Sequence, residues 1–439
     1  METTKTQINN LKDYAELAQA SYFYFDFLKD SNNIPRKIYK LDSNKEKIKD
    51  ENSPRGYKEI EINLEHIISK EYQGQEVLIN LKQDNTWQSN LLNSFDEKTN
   101  SDKLNGEFGE IQAEEFVKRY KIYFHQPNTI SGFSATLFYD TQKDRFVVGF
   151  RGTELNIKTP LETSKDLATD LGLAFGNGDF QLNALKQFLL DIAPILNDVD
   201  LNKIIFVGHS LGGYLAVIAM QFCDTIDRTL NTQFNTIKFN ASQVYTFNSP
   251  VIDGVDNMFM RALAELLGKN IIEQILNPEK VYCVYDNGNV EIIASAQYGS
   301  VNKLPVNTNR DSHSIIPLTQ TLYLYSYLLE LDSNYDKVKD KDINECIEYL
   351  NDFMQGVYKV FNPLSIAINV IIYPSLLIWQ SLQKQWVKVA LSIFPHSAFT
   401  SPPLTTNPLE SMTTSTPPAL IITQSPLAVI EVSPTAKFI

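Results

Sequence analysis

Apolar positions along the chain alternate between helical and extended spacing. LKDYAELAQASYFYFDF (Leu11 to Phe27) has mixed helical spacing with a dense aromatic end and predicts a helix. From about Lys29 to Asn105 the pattern is mostly polar, rich in Lys, Asn, Glu and Asp. It is interrupted by one periodic piece, IEINLEHIISKEY, which predicts a short helix inside a polar insertion. The pattern sharpens after Gly106. IQAEEFVKRYKIYF is helical at first and extended later. SATLFYD and RFVVGF are extended runs joined by TQKD, which predicts a hairpin.

QLNALKQFLLDIAPIL has one apolar stripe and predicts an amphipathic helix. KIIFV, QVYTF and KVYCVY are short continuous apolar runs of the kind buried on both faces of a parallel sheet. LGGYLAVIAMQF and IIPLTQTLYLYSYLLEL predict helices that are largely buried. Strands alternating with helices predict an α/β fold.

After Leu331 a charged connector, DSNYDKVKDKDINE, leads to a predicted helix, IEYLNDFMQGVYKVF, and then to an apolar stretch. From His396 onward Ser, Thr and Pro dominate, the composition of a disordered or extended tail. The expected organisation is an N-terminal helix and polar insertion over 1–105, an α/β core over 106–332, an apolar helical extension over 333–395 and the tail over 396–439.

Composition narrows the function classes. The chain has 439 residues and a net charge of −13, which disfavours nucleic acid and anionic lipid as electrostatic partners. Protein partners are not legible. Three cysteines, Cys223, Cys283 and Cys346, cannot all pair, and their spacing suggests no metal or redox motif. They are expected to be reduced core residues, with no metal and no organic cofactor. The polar start, METTKTQINNLKDYAELAQA, lacks a basic segment followed by an apolar one. The expectation is therefore a cytoplasmic protein or one exported by a route that needs no such signal.

The chemistry concentrates in IIFVGHSLGGYLAVIAM (Ile204 to Met220). A buried strand ends, a serine is flanked at two residues' distance by Gly208 and Gly212, and an apolar helix follows. This is the G-x-S-x-G nucleophile elbow in the strand–turn–helix context it requires. The apex residue is expected to be strained, and side chains at Gly208 or Gly212 are expected to collide with it. Ser210 would then project above the sheet at a helix N-terminus that favours negative charge.

Serine needs a base, usually histidine, and a group to orient it. Of the five histidines, His66 and His125 precede the serine, against the Ser…Asp…His order of this fold. His209 adjoins Ser210, with its side chain expected to point away, and His396 borders the tail. His313, in NRDSHSIIPL, is left as the base. The acid is less determined: Asp253 and Asp256 follow QVYTFNSP, Asp286 follows KVYCVY and Asp311 adjoins the histidine. Asp286 lies best placed at a strand's carboxyl end, Asp253 is the runner-up, and Asp-Asn-Gly is also ordinary turn chemistry. An oxyanion needs preorganised donors. The N–H of Leu211 directly after the nucleophile is one, and Thr153, in the turn after RFVVGF, can supply an N–H and a hydroxyl as the other.

Taken together, FRGTE, DLATDL, IIFVGHSLGGYLA and TFNSP resemble the class 3 lipase family of α/β hydrolases, over about Ser134 to Leu331. DSHSIIPL looks more like the bacterial members with lipase-like domains. The resemblance implies a mostly parallel α/β-hydrolase sheet and a triad of Ser210, an acid and His313. It also implies oxyanion donors at Thr153 and Leu211, and a movable lid over 154–171 covering an acyl pocket. The interval from Asp286 to His313 is short for the family. The insertion before Asn105 and everything after Leu331 have no counterpart in it.

The implied activity is hydrolysis of lipid esters, with triacylglycerol and phospholipid both open. FNPLSIAINVIIYPSLLIW (Phe361 to Trp379) is close to the length of a membrane span but is interrupted by Asn369 and Pro374. It suits a helix pair on the core or an apolar face on a phospholipid surface. A different class of reading is a membrane-binding or toxin-like module whose hydrolase chemistry is incidental or lost.

Overall fold

The computed structural model describes residues 3–30, 32–78, 103–129, 132–152, 178–229, 237–249, 278–287, 302–308, 313–331 and 342–355. In chain order the elements are α1 (Thr4–Ala20), β1 (Lys37–Tyr39), β2 (Glu59–Glu61), α2 (Leu64–Ile68), α3 (Glu110–Arg119), β3 (Tyr120–Gln126), β4 (Ala135–Asp140) and β5 (Arg145–Phe150). They continue with α4 (Gly178–Leu196), β6 (Ile204–His209), α5 (Leu211–Thr229), β7 (Gln243–Phe247), β8 (Val281–Asp286), β9 (Asn302–Val306) and α6 (Ile315–Leu331). Residues 343–355 are also helical.

β3 to β9 form one seven-stranded sheet in strictly sequential order. β3, β4 and β5 pair antiparallel, and every pair from β5 to β9 is parallel. This is a mostly parallel α/β sheet, with β6 as its middle strand. Sequential order has a consequence. Right-handed crossovers that always step the same way lay their helices on one face. That face is covered by α4 and α5, whose Leu185, Phe188, Leu215 and Ile218 pack with Val148, Phe150, Ile204 and Phe206 of the strands.

The opposite face needs a cover from outside the crossovers, and α1 supplies it. A β-carbon at Gly149 of β5 would meet the Ser21 hydroxyl and the Leu17 carbonyl, and Tyr14 lies against Tyr245 of β7 with ring centroids 4.4 Å apart. α6 in turn packs along α1. All six residues of β6 are buried, as a strand covered on both faces must be.

α1 differs from its sequence expectation. It begins at Thr4 with the Thr3 hydroxyl accepting the Thr6 N–H, and it ends at Ala20 rather than running to Phe27. The Ser21 hydroxyl and N–H both donate to the Leu17 carbonyl, at 2.8 and 3.0 Å, and the next two N–H groups, of Tyr22 and Phe23, turn to the Gln19 and Ala20 carbonyls three residues back. The aromatic residues that follow leave the helix, and only Phe25–Leu28 form a short 3₁₀ turn.

Asp13 fixes α1 to the antiparallel edge. It accepts two bonds from the Arg119 guanidinium (2.9 and 2.6 Å) and one from Lys143 (2.6 Å), while Arg119 also holds Asp140. Burial alone would raise the Asp13 carboxyl. The bonds and charges of Arg119, Lys12 and Lys143 outweigh it and hold the group well below the ordinary carboxylate range.

The strand β9 has no strong sequence signal, because NKLPV is short and contains Pro305. Among the described residues it is the outermost strand on its side of the sheet, a position where a proline is tolerated. Asn351, in the helix at 343–355, covers this edge by donating to the Pro305 carbonyl and accepting the Asn307 N–H, each at 2.8 Å.

In the N-terminal region, β1 and β2 form a small antiparallel pair and α2 falls within the periodic IEINLEHIISKEY. Among the described residues no helix is long and apolar enough to cross a membrane. The stretch 361–379 and the tail lie outside the described residues.

Candidate active site

The site is built at the carboxyl end of β6, where strand becomes helix without a loop. Ser210 is the single residue between β6 and α5, and its backbone is left-handed at φ 55°. A serine gains nothing sterically from that region, so the surrounding backbone must impose it. The Ser210 N–H donates to the Phe247 carbonyl at 2.9 Å, and its own carbonyl accepts from Gly213 (3.0 Å) and Tyr214 (3.4 Å) as the first turn of α5.

The elbow glycines are required for a reason different from the expected one. A β-carbon at Gly208 would strike the carbonyl group of Gly212 and lie 2.6 Å from the Gly213 nitrogen. One at Gly212 would strike the Phe150 carbonyl and lie 2.8 Å from the Gly152 nitrogen. The nearest collisions are with the first turn of α5 and the end of β5.

His313 lies just before α6. Its Nε2 is 2.8 Å from the Ser210 Oγ, across 103 residues of sequence. Both residues are buried, at 2% and 9% exposure. Burial, and then the neighbouring His209, pull the His313 imidazole down to about 3, so the ring is neutral near pH 7 and can accept a proton.

His209 does not stand apart from this pair. Its Nε2 is 2.7 Å from the backbone carbonyl of His313, its Nδ1 is 2.8 Å from the Tyr22 hydroxyl, and the two imidazoles are 5.0 Å apart. A carbonyl only accepts, so Nε2 carries the proton. Nδ1 then accepts from Tyr22. Burial lowers His209 to about 4, which keeps this neutral tautomer in place. The two other described histidines have local partners. His66 caps α2, accepting the Asn63 N–H at 3.2 Å, and the His125 Nδ1 meets the Thr136 hydroxyl at 2.8 Å.

Asp286 ends β8 and is buried at 1% exposure. Its N–H donates to the Asn248 Oδ1 at 2.9 Å. Its Oδ1 accepts the Thr308 N–H at 3.3 Å, and its Oδ2 accepts the Thr308 hydroxyl. The His313 Nδ1 is buried and meets no hydrogen-bond partner among the described residues. Asp253, Asp256 and Asp311 lie outside the described residues, as do Thr153 and the segment 154–171. Leu211 is the first residue of α5, so its N–H is one of those a helix leaves without an intrahelical carbonyl.

The segment after α1 reaches this site as well. Arg151 is buried against Tyr24 and Tyr22, its guanidinium 4.9 and 5.9 Å from their ring centroids, and it donates to the Tyr24 hydroxyl at 3.3 Å. A β-carbon at Gly152 would strike the Tyr22 hydroxyl and lie 3.3 Å from the Ser210 β-carbon, so the tyrosine comes close to the serine.

Tyr22, Asn248 and the role of His209 escape sequence reading. The aromatic run SYFYF is visible, but a partner 187 residues away is not. No group of three or more His, Cys, Asp or Glu suited to a metal ion occurs among the described residues, and Cys223, Cys283 and Cys346 are buried and form no disulfide.

No protein-family model matches the chain, and no curated protein matches it in sequence. Solved structures similar to it are lipases at low identity and partial coverage. The Lip2 lipase of Yarrowia lipolytica is 14% identical over 45% of this chain and 69% of its own, with a TM-score of 0.27. A lipase of Rhizopus microsporus var. chinensis is 16% identical over 47% of this chain and 67% of its own, with a TM-score of 0.27. A triacylglycerol lipase with a serine protease triad as its catalytic centre is 15% identical over 44% of this chain and 69% of its own, with a TM-score of 0.25.

Proposed function

We propose that the chain is a serine carboxylester hydrolase that cleaves lipid esters through an acyl-enzyme, in the manner of a lipase or a phospholipase A. The observation that carries this reading is the 2.8 Å contact between the His313 Nε2 and the hydroxyl of a serine held at φ 55° on a strand–helix apex.

In this reading the neutral His313 takes the Ser210 proton as Oγ attacks the acyl carbonyl, and returns it to the leaving alcohol. The oxygen of the tetrahedral intermediate is met by the N–H of Leu211, with Thr153 as second donor. Water, activated by the same imidazole, then releases the fatty acid. A carboxylate is needed to orient His313 through the Nδ1; Asp286 accepts from Thr308 instead, which leaves Asp253 as the candidate acid. The apolar C-terminal stretch favours a phospholipid surface as the place of action, with triacylglycerol as the other candidate substrate.

The test is fatty-acid release from phosphatidylcholine vesicles and from tributyrin by the wild type and by Ser210→Ala. Replacing the nucleophile is expected to cost on the order of 10⁴-fold or more in kcat on whichever ester is cleaved. Undiminished turnover by a folded Ser210→Ala protein refutes the reading.

A further inference from the structure

Asn248 carries a left-handed backbone at φ 43°, is buried at 1% exposure, and lies directly after β7. Asparagine tolerates that conformation better than most residues, yet glycine adopts it without strain. A buried asparagine there must therefore contribute through its side chain.

Both ends of its amide are engaged. The Oδ1 accepts the Asp286 N–H at 2.9 Å. Because that partner is a donor, the amide orientation is fixed, and Nδ2 is the end that faces the His313 carbonyl at 3.4 Å. The same carbonyl takes the shorter bond from His209. The residue just before Asn248, Phe247, supplies the carbonyl that accepts the Ser210 N–H. One position thus touches the nucleophile's backbone through its neighbour, the end of β8 through Oδ1, and the base's backbone through Nδ2.

We propose that Asn248 is a positioning residue. It holds the end of β8 and the His313 backbone in fixed relation to Ser210, and its left-handed backbone is retained for those two side-chain bonds. Resting on the serine–histidine reading above, this adds the element that sets the register between the strand bearing Asp286 and the segment bearing His313. The sequence shows Asn248 only as part of TFNSP, with no chemistry of its own.

Asn248→Gly removes both bonds and leaves the backbone unstrained. Asn248→Asp keeps the acceptor for the Asp286 N–H and replaces the donor with a carboxylate oxygen. Ångström-scale misplacement of a base costs up to 10²-fold, so Asn248→Gly is expected to lower kcat on a soluble ester by about 10- to 100-fold with KM changed less than about twofold. Its thermal unfolding midpoint is expected to fall by only a few degrees, from the buried Asp286 N–H that loses its acceptor, so that the protein stays folded at the assay temperature. Asn248→Asp is expected to lower kcat and to move the acid limb of the kcat–pH profile upward, because an added anion favours the imidazolium.

A folded Asn248→Gly protein with wild-type kcat overturns the proposal. If Asn248→Gly unfolds, a wild-type kcat and an unmoved acid limb in Asn248→Asp overturn it, and loss of folding in both variants does so as well by making the residue a fold determinant. Ser210→Ala separates the two readings. Turnover surviving there removes the serine mechanism itself. Turnover lost there but kept in Asn248→Gly removes only the role given to Asn248.

Discussion

His209 gives the structure a built-in sensitivity to acid, and its size follows from the site. The imidazole is buried, bonded on both nitrogens as a neutral tautomer, and lowered from an ordinary value of 6.5 to about 4. The folded state therefore resists a proton that the unfolded chain accepts. The stabilisation is complete above pH 6.5, declines as the pH falls towards 4, and is constant below that. At about 1.4 kcal/mol per decade, the interval corresponds to roughly 3 kcal/mol, a large share of the 5–15 kcal/mol that holds a typical domain together.

His209→Gln removes the titrating ring while keeping a side-chain donor for the His313 carbonyl. Denaturant unfolding between pH 7 and pH 4 is expected to show the wild type losing about 3 kcal/mol more than the variant. His313 is present in both proteins and largely cancels. Parallel loss of stability in the two proteins refutes the claim that His209 is buried as the neutral bridge between Tyr22 and His313.

Two other predictions concern carboxylates. Asp13→Ala leaves Arg119 and Lys143 without a shared partner inside the α1 contact, so denaturant unfolding is expected to show a loss of about 3 kcal/mol; a loss below about 0.5 kcal/mol, the range of an ordinary surface substitution, refutes the network's structural role. Asp286→Asn is expected to lower kcat by on the order of 10³- to 10⁴-fold if Asp286 orients the base. If Asp253→Asn produces that loss and Asp286→Asn does not, Asp286 serves instead to tie the end of β8 to Thr308.

Much of the fold is legible because its signals are local. The continuous apolar β6, the all-apolar face of α5 and the TQKD hairpin each announce themselves within a dozen residues. What is not legible depends on distant partners or on local competition. α1 stops at Ala20, where the Tyr22 and Phe23 N–H groups turn to carbonyls three residues back, while the periodicity of the sequence runs on into the aromatic residues. β9 is hidden by Pro305, which argues against a central strand and fits the outermost position β9 takes among the described residues.

The same division holds at the site. The strand–serine–helix context singles out Ser210, and chain order singles out His313. Tyr22, His209 and Asn248 enter through bonds that span 187, 104 and 65 residues, which no spacing rule reaches. The need for Gly208 and Gly212 is visible in the sequence, but the atoms that impose it are not, since they belong to Gly213 and to the end of β5 as well as to the elbow.

The central claim is that Ser210 is a nucleophile activated by His313. Labelling by a fluorophosphonate probe at neutral pH tests it most directly, because the probe reports an activated serine whatever the natural ester is. The wild type is expected to label at Ser210, His313→Ala to label more slowly by on the order of 10³-fold or more, and Ser210→Ala not at all. A wild-type protein that does not label, or a His313→Ala protein that labels at the wild-type rate, contradicts the account.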